Sequence, residues 1–191
     1  MRLFVAVELD EIARRAMEAA AEELRRRLGG TLNAKWVSQA NMHLTVRFIG
    51  HVPDERVPAT LDALRPPLTL EPFDLVLSHC GVFPTHGPPR VLWMGVTEGQ
   101  SSLRAMHDEF NRRLLPLGFQ QESRAFNAHL TLARVKDPPR GAAASVREAL
   151  RALRIAPVRC RISDAAVFES RLSPSGSIYG VQLRVPLRSS L

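Results

Sequence analysis

Two tripeptides in the 191-residue chain could do acid–base chemistry together, His43-Leu44-Thr45 and His129-Leu130-Thr131. Six histidines and seven threonines scattered at random would give roughly 0.2 His-x-Thr triplets. Both copies carry leucine in the middle and lie in apolar stretches, so chance explains them poorly. An imidazole with an ordinary pKa of about 6.5 can hold a proton or lack one near neutral pH. In-line displacement at a phosphodiester needs both states, one group to take a proton from the attacking oxygen and one to give a proton to the leaving oxygen. Threonine hydroxyls can donate to the non-bridging oxygens and hold their charge. The sequence itself does not fix which histidine takes which role. A single triplet would be adequately explained as polar residues on a half-solvated strand. A zinc site is disfavoured, because no third ligand is evident nearby and the His-x-x-x-His spacing is missing.

The elements around the triplets repeat in order. Leu3–Val7 reads as a buried strand, Asp10–Leu28 as a helix that Gly29-Gly30 stops, Met42–Ile49 as a strand, Pro53–Leu64 as a helix and Phe73–Cys80 as a strand. After a loop at 84–89, Val91–Val96 is a strand, Leu103, Met106, Phe110 and Leu114 mark a helix, and Ala128–Val135 is a strand. Val146, Leu150 and Leu153 mark a further helix, and strands near 158–168 and 178–185 finish the chain. An internal duplication accounts for this order, and the triplets fix its offset at 86 residues. The expectation is one two-lobed domain over 1–191 with halves of roughly 1–90 and 91–191. The strand at 91–96 could belong to either half. Strand alternation puts His43 with Thr45, and His129 with Thr131, on one face, while Met42, Leu44, Val46, Leu130 and Leu132 face helices. If the polar faces turn inward, two imidazoles and two hydroxyls share a cleft.

Composition sets the outer bounds. Hydrophobic residues at 45% and charged residues at 24% are ordinary for a globular chain and exclude disorder. A net charge of +7 favours polyanions such as nucleic acid. Only Lys35 and Lys136 are lysines, and the arginine excess fits either phosphate recognition or a GC-rich genome. Cys80 and Cys160 form no CxxC pair and read as small buried groups in a reducing compartment. The first residues are too briefly apolar for a signal peptide or a membrane span, so a cytoplasmic protein is expected.

Trp36-Val37 with Asn41-Met42-His43-Leu44-Thr45-Val46-Arg47-Phe48-Ile49-Gly50 resembles the first signature of the 2′-5′ RNA ligase family of two-histidine (2H) phosphoesterases. Phe126-Asn127-Ala128-His129-Leu130-Thr131-Leu132-Ala133-Arg134 resembles the second, although the family commonly has proline where Ala128 stands. Phe168-Glu169-Ser170-Arg171-Leu172, Ser175-Gly176 and Tyr179 resemble its carboxy-terminal stretch. The resemblance implies a bilobal α+β fold, two pseudo-symmetric lobes whose antiparallel sheets face a cleft with helices outside. It also implies opening of RNA 2′,3′-cyclic phosphate ends to 2′-phosphates without metal or cofactor, with 2′-5′ ligation as the reverse reaction. The implied partner is RNA with such an end, tRNA fragments included, and the expected state is a monomer away from membranes. By resemblance His43 is the proton donor, His129 the acceptor, Thr45 and Thr131 hold phosphate oxygens, Arg134 binds phosphate and Phe48 holds a nucleobase.

Parity qualifies three of these positions. Arg47 falls on the cleft face and is a further phosphate-binding candidate, whereas Phe48 falls on the packed face and Arg134 opposite His129. Arg134 therefore needs a bulge or strand end to reach in. Two other functions remain open: a 2H phosphodiesterase acting on a small cyclic phosphate or cyclic nucleotide, and a non-catalytic RNA-binding module. His51, His79, His86 and His107 carry little weight, His107 being expected on an exposed helix face. Arg25, Arg26 and Arg27 read as a solvated face.

Overall fold

The computed structural model describes residues 1–30, 32–122, 125–174 and 176–188, so Ser175 lies outside the described residues. Nine strands and four α-helices are assigned among them: β1 (Arg2–Glu8), α1 (Glu11–Leu28), β2 (Ala34–Trp36), β3 (His43–His51), α2 (Val57–Leu64), β4 (Phe73–Phe83), β5 (Val91–Glu98), α3 (Gln100–Leu114), β6 (His129–Val135), α4 (Ala142–Ala152), β7 (Val158–Ile162), β8 (Asp164–Ser173) and β9 (Gly176–Pro186). The helix ends follow local chemistry. Asp10 caps α1 by accepting from the Ala13 amide at 2.8 Å, and Gly29, with φ of 57°, supplies the left-handed residue that closes it. Ala13, Met17, Ala20, Ala21, Leu24 and Leu28 form its buried stripe. Arg25, Arg26 and Arg27 lie on the opposite, solvated side and pair with Glu22 and Glu23.

The strands form one continuous antiparallel sheet in the order β7-β4-β5-β6-β3-β1-β8-β9, with β2 added on β6. Its two halves meet at β3 and β6, joined through the pair Leu44 and Leu130. The lobes are therefore two wings of one curled sheet, and they do not follow the expected division near residue 90. The wing carrying His43 is β3-β1-β8-β9, and the wing carrying His129 is β6-β5-β4-β7. Each wing takes its third strand, β8 or β4, from the other half of the chain. The helices cross over as well: α3 packs on β3, whereas α1 and α4 cover β4, β6 and β7. This exchange buries each half against the other in a shared core that includes Leu44, Leu77, Leu92, Phe110, Leu130 and Leu132.

The apolar run at 158–168, which reads as one strand, is two. β7 pairs with β4 and β8 pairs with β1, on opposite wings. The chain changes wing at Ser163, whose carbonyl accepts from the Leu187 amide at 2.9 Å. Cys160 is buried on β7, its Sγ 3.2 Å from the Asp10 amide, and burial pushes its thiol up to about 11. No helix among the described residues is long and apolar enough to cross a membrane.

Candidate active site

Both histidines stand at the first residue of the strands where the wings meet. Continuing the antiparallel register outward from Leu44 and Leu130 sets His43 across from Thr131 and Thr45 across from His129. A local twofold relation thus gathers all four polar side chains. They line one cleft of about 480 Å³ together with Phe4, Asn41, Phe48, Arg134, Ser170 and Tyr179, among others.

The same backbone device orients each imidazole. His43 Nδ1 lies 2.8 Å from the Asn41 carbonyl, and His129 Nδ1 lies 2.8 Å from the Asn127 carbonyl. A carbonyl only accepts, so each Nδ1 carries its hydrogen and Nε2 is left to exchange a proton. Burial pushes both imidazoles below the ordinary value of 6.5; the carbonyl contacts oppose this, and the Arg134 cation adds to the lowering. Glu8, the cross-strand partner of His43, raises that histidine alone. Phe4, Phe168 and Tyr179 surround the His43 ring at 5.0, 6.2 and 5.2 Å between centroids. Phe83 meets the His129 ring edge-on at 5.2 Å.

A bulge decides which neighbours join them. Between β1 and β3, Val5 pairs with Arg47 and Ala6 with Thr45, leaving Val46 as an extra residue. Between β5 and β6, Leu92 pairs with Ala133 and Trp93 with Thr131, leaving Leu132 extra. The two bulges sit at the same distance after each histidine, and both reverse the alternation that follows. Phe48 and Arg134, equivalent under the 86-residue offset, therefore both turn into the cleft. Phe48 is 52% exposed, so its expected place on the packed face does not hold.

The same reversal removes Arg47 from the candidate phosphate-binding set. Its side chain is buried, donates to the Phe48 and Gln120 carbonyls, and lies 3.3 Å from the Glu122 carboxylate. It ties β3 to the segment after α3 and does not face the cleft. His107, expected to be exposed, is also buried. Its Nδ1 donates to the carbonyl of the bulge residue Val46 at 2.7 Å, its Nε2 accepts from Asn111 Nδ2 at 2.8 Å, and its ring stacks on Phe126 at 4.7 Å. It braces the first bulge and the approach to the second triplet at once.

Arg134 brings a guanidinium into the cleft that is not tied up in an ion pair. Among the described residues no carboxylate pairs with it, whereas Arg15, Arg65, Arg113, Arg159, Arg161 and Arg184 each hold an acidic partner. Lys35, cross-strand from Arg134, lies so close to the β8–β9 hairpin that a methyl group at Gly176 would meet its Nζ at 2.7 Å. Cationic charge thus collects at one end of the cleft. Lys35, the Asn41 and Asn127 carbonyl anchors and the Phe4–Phe168 stack are site features that sequence reasoning missed. The asparagines recur at the 86-residue offset, which is a legible signal; the stack depends on pairing between β1 and β8, which is not.

Comparison with known proteins agrees with this architecture. Residues 9–173 match the model of the 2′-5′ RNA ligase superfamily. A protein of Archaeoglobus fulgidus named RNA 2′,3′-cyclic phosphodiesterase is 36% identical over 136 residues, 71% of this chain and 73% of that one. A Thermotoga maritima protein of the same name is 30% identical over 183 residues, covering 95% and 92%. A crystal structure of a Thermus thermophilus protein superposes over the full length of both chains with a TM-score of 0.78 and 27% identity. That of E. coli LigT complexed with 3′-AMP covers 97% of each chain with a TM-score of 0.71 and, at 23% identity, a likeness of fold. The chain belongs to the 2′-5′ RNA ligase superfamily, and its fold is that of the two-histidine phosphoesterases.

Proposed function

We propose that the protein is an RNA 2′,3′-cyclic phosphodiesterase that opens the cyclic end to a 2′-phosphate by paired-histidine acid–base catalysis. The name borne by its relatives supports the substrate class. The observation that carries the chemistry is the matched anchoring of two imidazoles, each with Nδ1 on a carbonyl and a threonine beside it, in one cleft.

In the proposed reaction His129 Nε2 takes a proton from water as its oxygen bonds to phosphorus. The P–O3′ bond breaks on the opposite side, and His43 Nε2 gives its proton to the departing 3′-oxygen. Burial holds both imidazoles below their ordinary value, so the donor role of His43 and the acceptor role of His129 rest on the family resemblance. Thr45 and Thr131 donate to the non-bridging oxygens, and the Arg134 guanidinium holds their charge. Phe48 offers a ring face to the terminal base, since aromatic stacking tolerates any base. A 5′-hydroxyl in place of water would give the reverse, 2′-5′-joining reaction. Nothing in this sequence of steps calls on a metal ion, because the two imidazoles move both protons and the cleft donors hold the charge.

Purified protein assayed in excess EDTA against RNA oligomers ending in a 2′,3′-cyclic phosphate, nucleoside 2′,3′-cyclic monophosphates and 3′,5′-cyclic nucleotides tests this reading. Turnover of the 2′,3′-cyclic substrates to 2′-phosphates, undiminished by EDTA and fastest on RNA, is expected. Turnover confined to small cyclic nucleotides, or production of 3′-phosphates, would contradict it.

A further inference from the structure

The cleft continues past the two imidazoles along β1 and β3, and its far end is polar and cationic. Phe48 pairs with Phe4 and Gly50 with Leu3, so Ile49 is a second extra residue on β3. Gly50, with φ of 88°, supplies the left-handed residue that such a bulge favours. Strict alternation from Phe48 would send His51 to the helix side. The bulge instead returns it to the concave face, because its cross-strand partner is Arg2, and Arg2 lines the cleft. Continuing the register of β1 and β8 outward from Leu3 and Glu169 sets Ser170, another cleft residue, on the other side of Arg2. An imidazole, a guanidinium and a hydroxyl thus stand in one row across β3, β1 and β8. Between this row and the catalytic pair lies an aromatic row in which Phe4 meets Phe48 at 6.3 Å and Phe168 at 5.2 Å.

Arg2 and His51 are both exposed, and among the described residues neither side chain has a hydrogen-bond, ion-pair or ring partner. Two acids close in sequence or register are engaged elsewhere. Asp54 lies 3.2 Å from the Met1 amine, and Glu169, on the face opposite Arg2, lies 2.8 Å from Arg171. Opening a cyclic phosphate uses neither Arg2 nor His51. The rows of the cleft nevertheless follow the order of a nucleotide, with the reacting phosphate at the histidines, the base against the aromatic row and the 5′-oxygen beyond it. From Ala6, the partner of Thr45, to Arg2 is about 13 Å of strand, a span that one nucleoside and the length of an arginine side chain cover. We propose that Arg2, with His51 and Ser170 beside it, binds the phosphate attached to the 5′-oxygen of the terminal nucleoside. That phosphate is a diester in RNA and a monoester in a free nucleotide, and the guanidinium fork suits the oxygens of either. The inference rests on the proposed function and adds to it a residue that selects substrates by what precedes the terminal nucleoside. Arg134 and Arg2 then hold successive phosphates of one chain. No bond forms or breaks at Arg2, so the contact acts through binding and orientation.

The test compares kcat/KM for three substrates: adenosine 2′,3′-cyclic phosphate, the same nucleotide carrying a 5′-phosphate, and the 3′-5′-linked adenylyl dinucleotide ending in a 2′,3′-cyclic phosphate. Wild-type protein favours the two substrates with a 5′-side phosphate by about 5- to 50-fold, the scale of a charge-assisted hydrogen bond weakened by solvent. This advantage shrinks as salt rises. Arg2→Gln brings the ratio to the unmodified nucleotide close to one, Arg2→Lys keeps part of the advantage as a point charge, and His51→Ala loses part of it. Turnover of the unmodified nucleotide reports that each variant folds, and the ratio cancels any general loss. An advantage for both longer substrates assigns the site to RNA, and one for the 5′-phosphate alone assigns it to a free nucleotide. An advantage confined to the dinucleotide, equal rates of wild-type protein on all three, or an advantage that Arg2→Gln retains would overturn the second phosphate site and spare the proposed function. Wild-type protein inert on all three substrates would end both readings.

Discussion

His43→Ala and His129→Ala each lower kcat/KM for opening a 2′,3′-cyclic phosphate by about 10²–10⁴-fold, the range lost when one positioned general acid or base is removed. Both rings are held by a single Nδ1 contact to backbone and otherwise touch aromatic rings, so truncation leaves the sheet pairing intact. The double variant loses little beyond the worse single one, because acid and base act in one step and their losses do not add. Retained thermal unfolding, together with these rates, distinguishes lost chemistry from lost fold. A protein that only binds RNA would bind equally well with either alanine and would show no turnover to lose.

Arg134→Gln reduces kcat/KM by about 10- to 100-fold, in keeping with the loss of one charge-assisted phosphate contact. It also moves the pH dependence, in a direction set by its charge. Burial, with the Arg134 cation acting in the same sense, holds both imidazoles below 6.5. A reaction needing one imidazole protonated and the other neutral gives a bell-shaped kcat/KM profile, with two limbs that belong to the pair. Its maximum is expected on the acidic side of 6.5. Removing a cation that disfavours imidazolium raises both pKa values, so both limbs of the Arg134→Gln profile shift to higher pH. Arg47→Gln serves as the contrast, since its guanidinium is bound to β3 and Glu122 away from the cleft: it lowers stability and leaves the limbs in place. Steady-state profiles of the three proteins in constant ionic strength buffers make the comparison.

The sequence made the paired triplets, their offset and the buried face of each strand legible, because alternation and repetition are properties of residue order alone. Alternation failed where backbone geometry intervened. Val46 and Leu132 are ordinary strand residues, and nothing in their identity announces a bulge; only pairing with β1 and β5 shows that one residue is extra. That single insertion sends Arg47 inward and brings Phe48 and Arg134 to the cleft. The strand exchange was hidden for a similar reason, since Ser163 is a slight interruption in an apolar run and partner choice is a tertiary matter. His107 was readable. It lies four residues after Leu103 and four before Asn111, on the buried stripe of α3, and an imidazole on such a stripe needs the internal partners it has.

A crystal structure of the protein with a nucleoside 2′-phosphate bound measures the central geometry directly. Nε2 of His43 and Nε2 of His129 should each lie within about 2.6–3.2 Å of phosphate oxygens on opposite sides of one phosphorus, with Arg134 on a third oxygen. A phosphate touched by only one of the two imidazoles, or bound outside the cleft they share, would contradict paired-histidine catalysis.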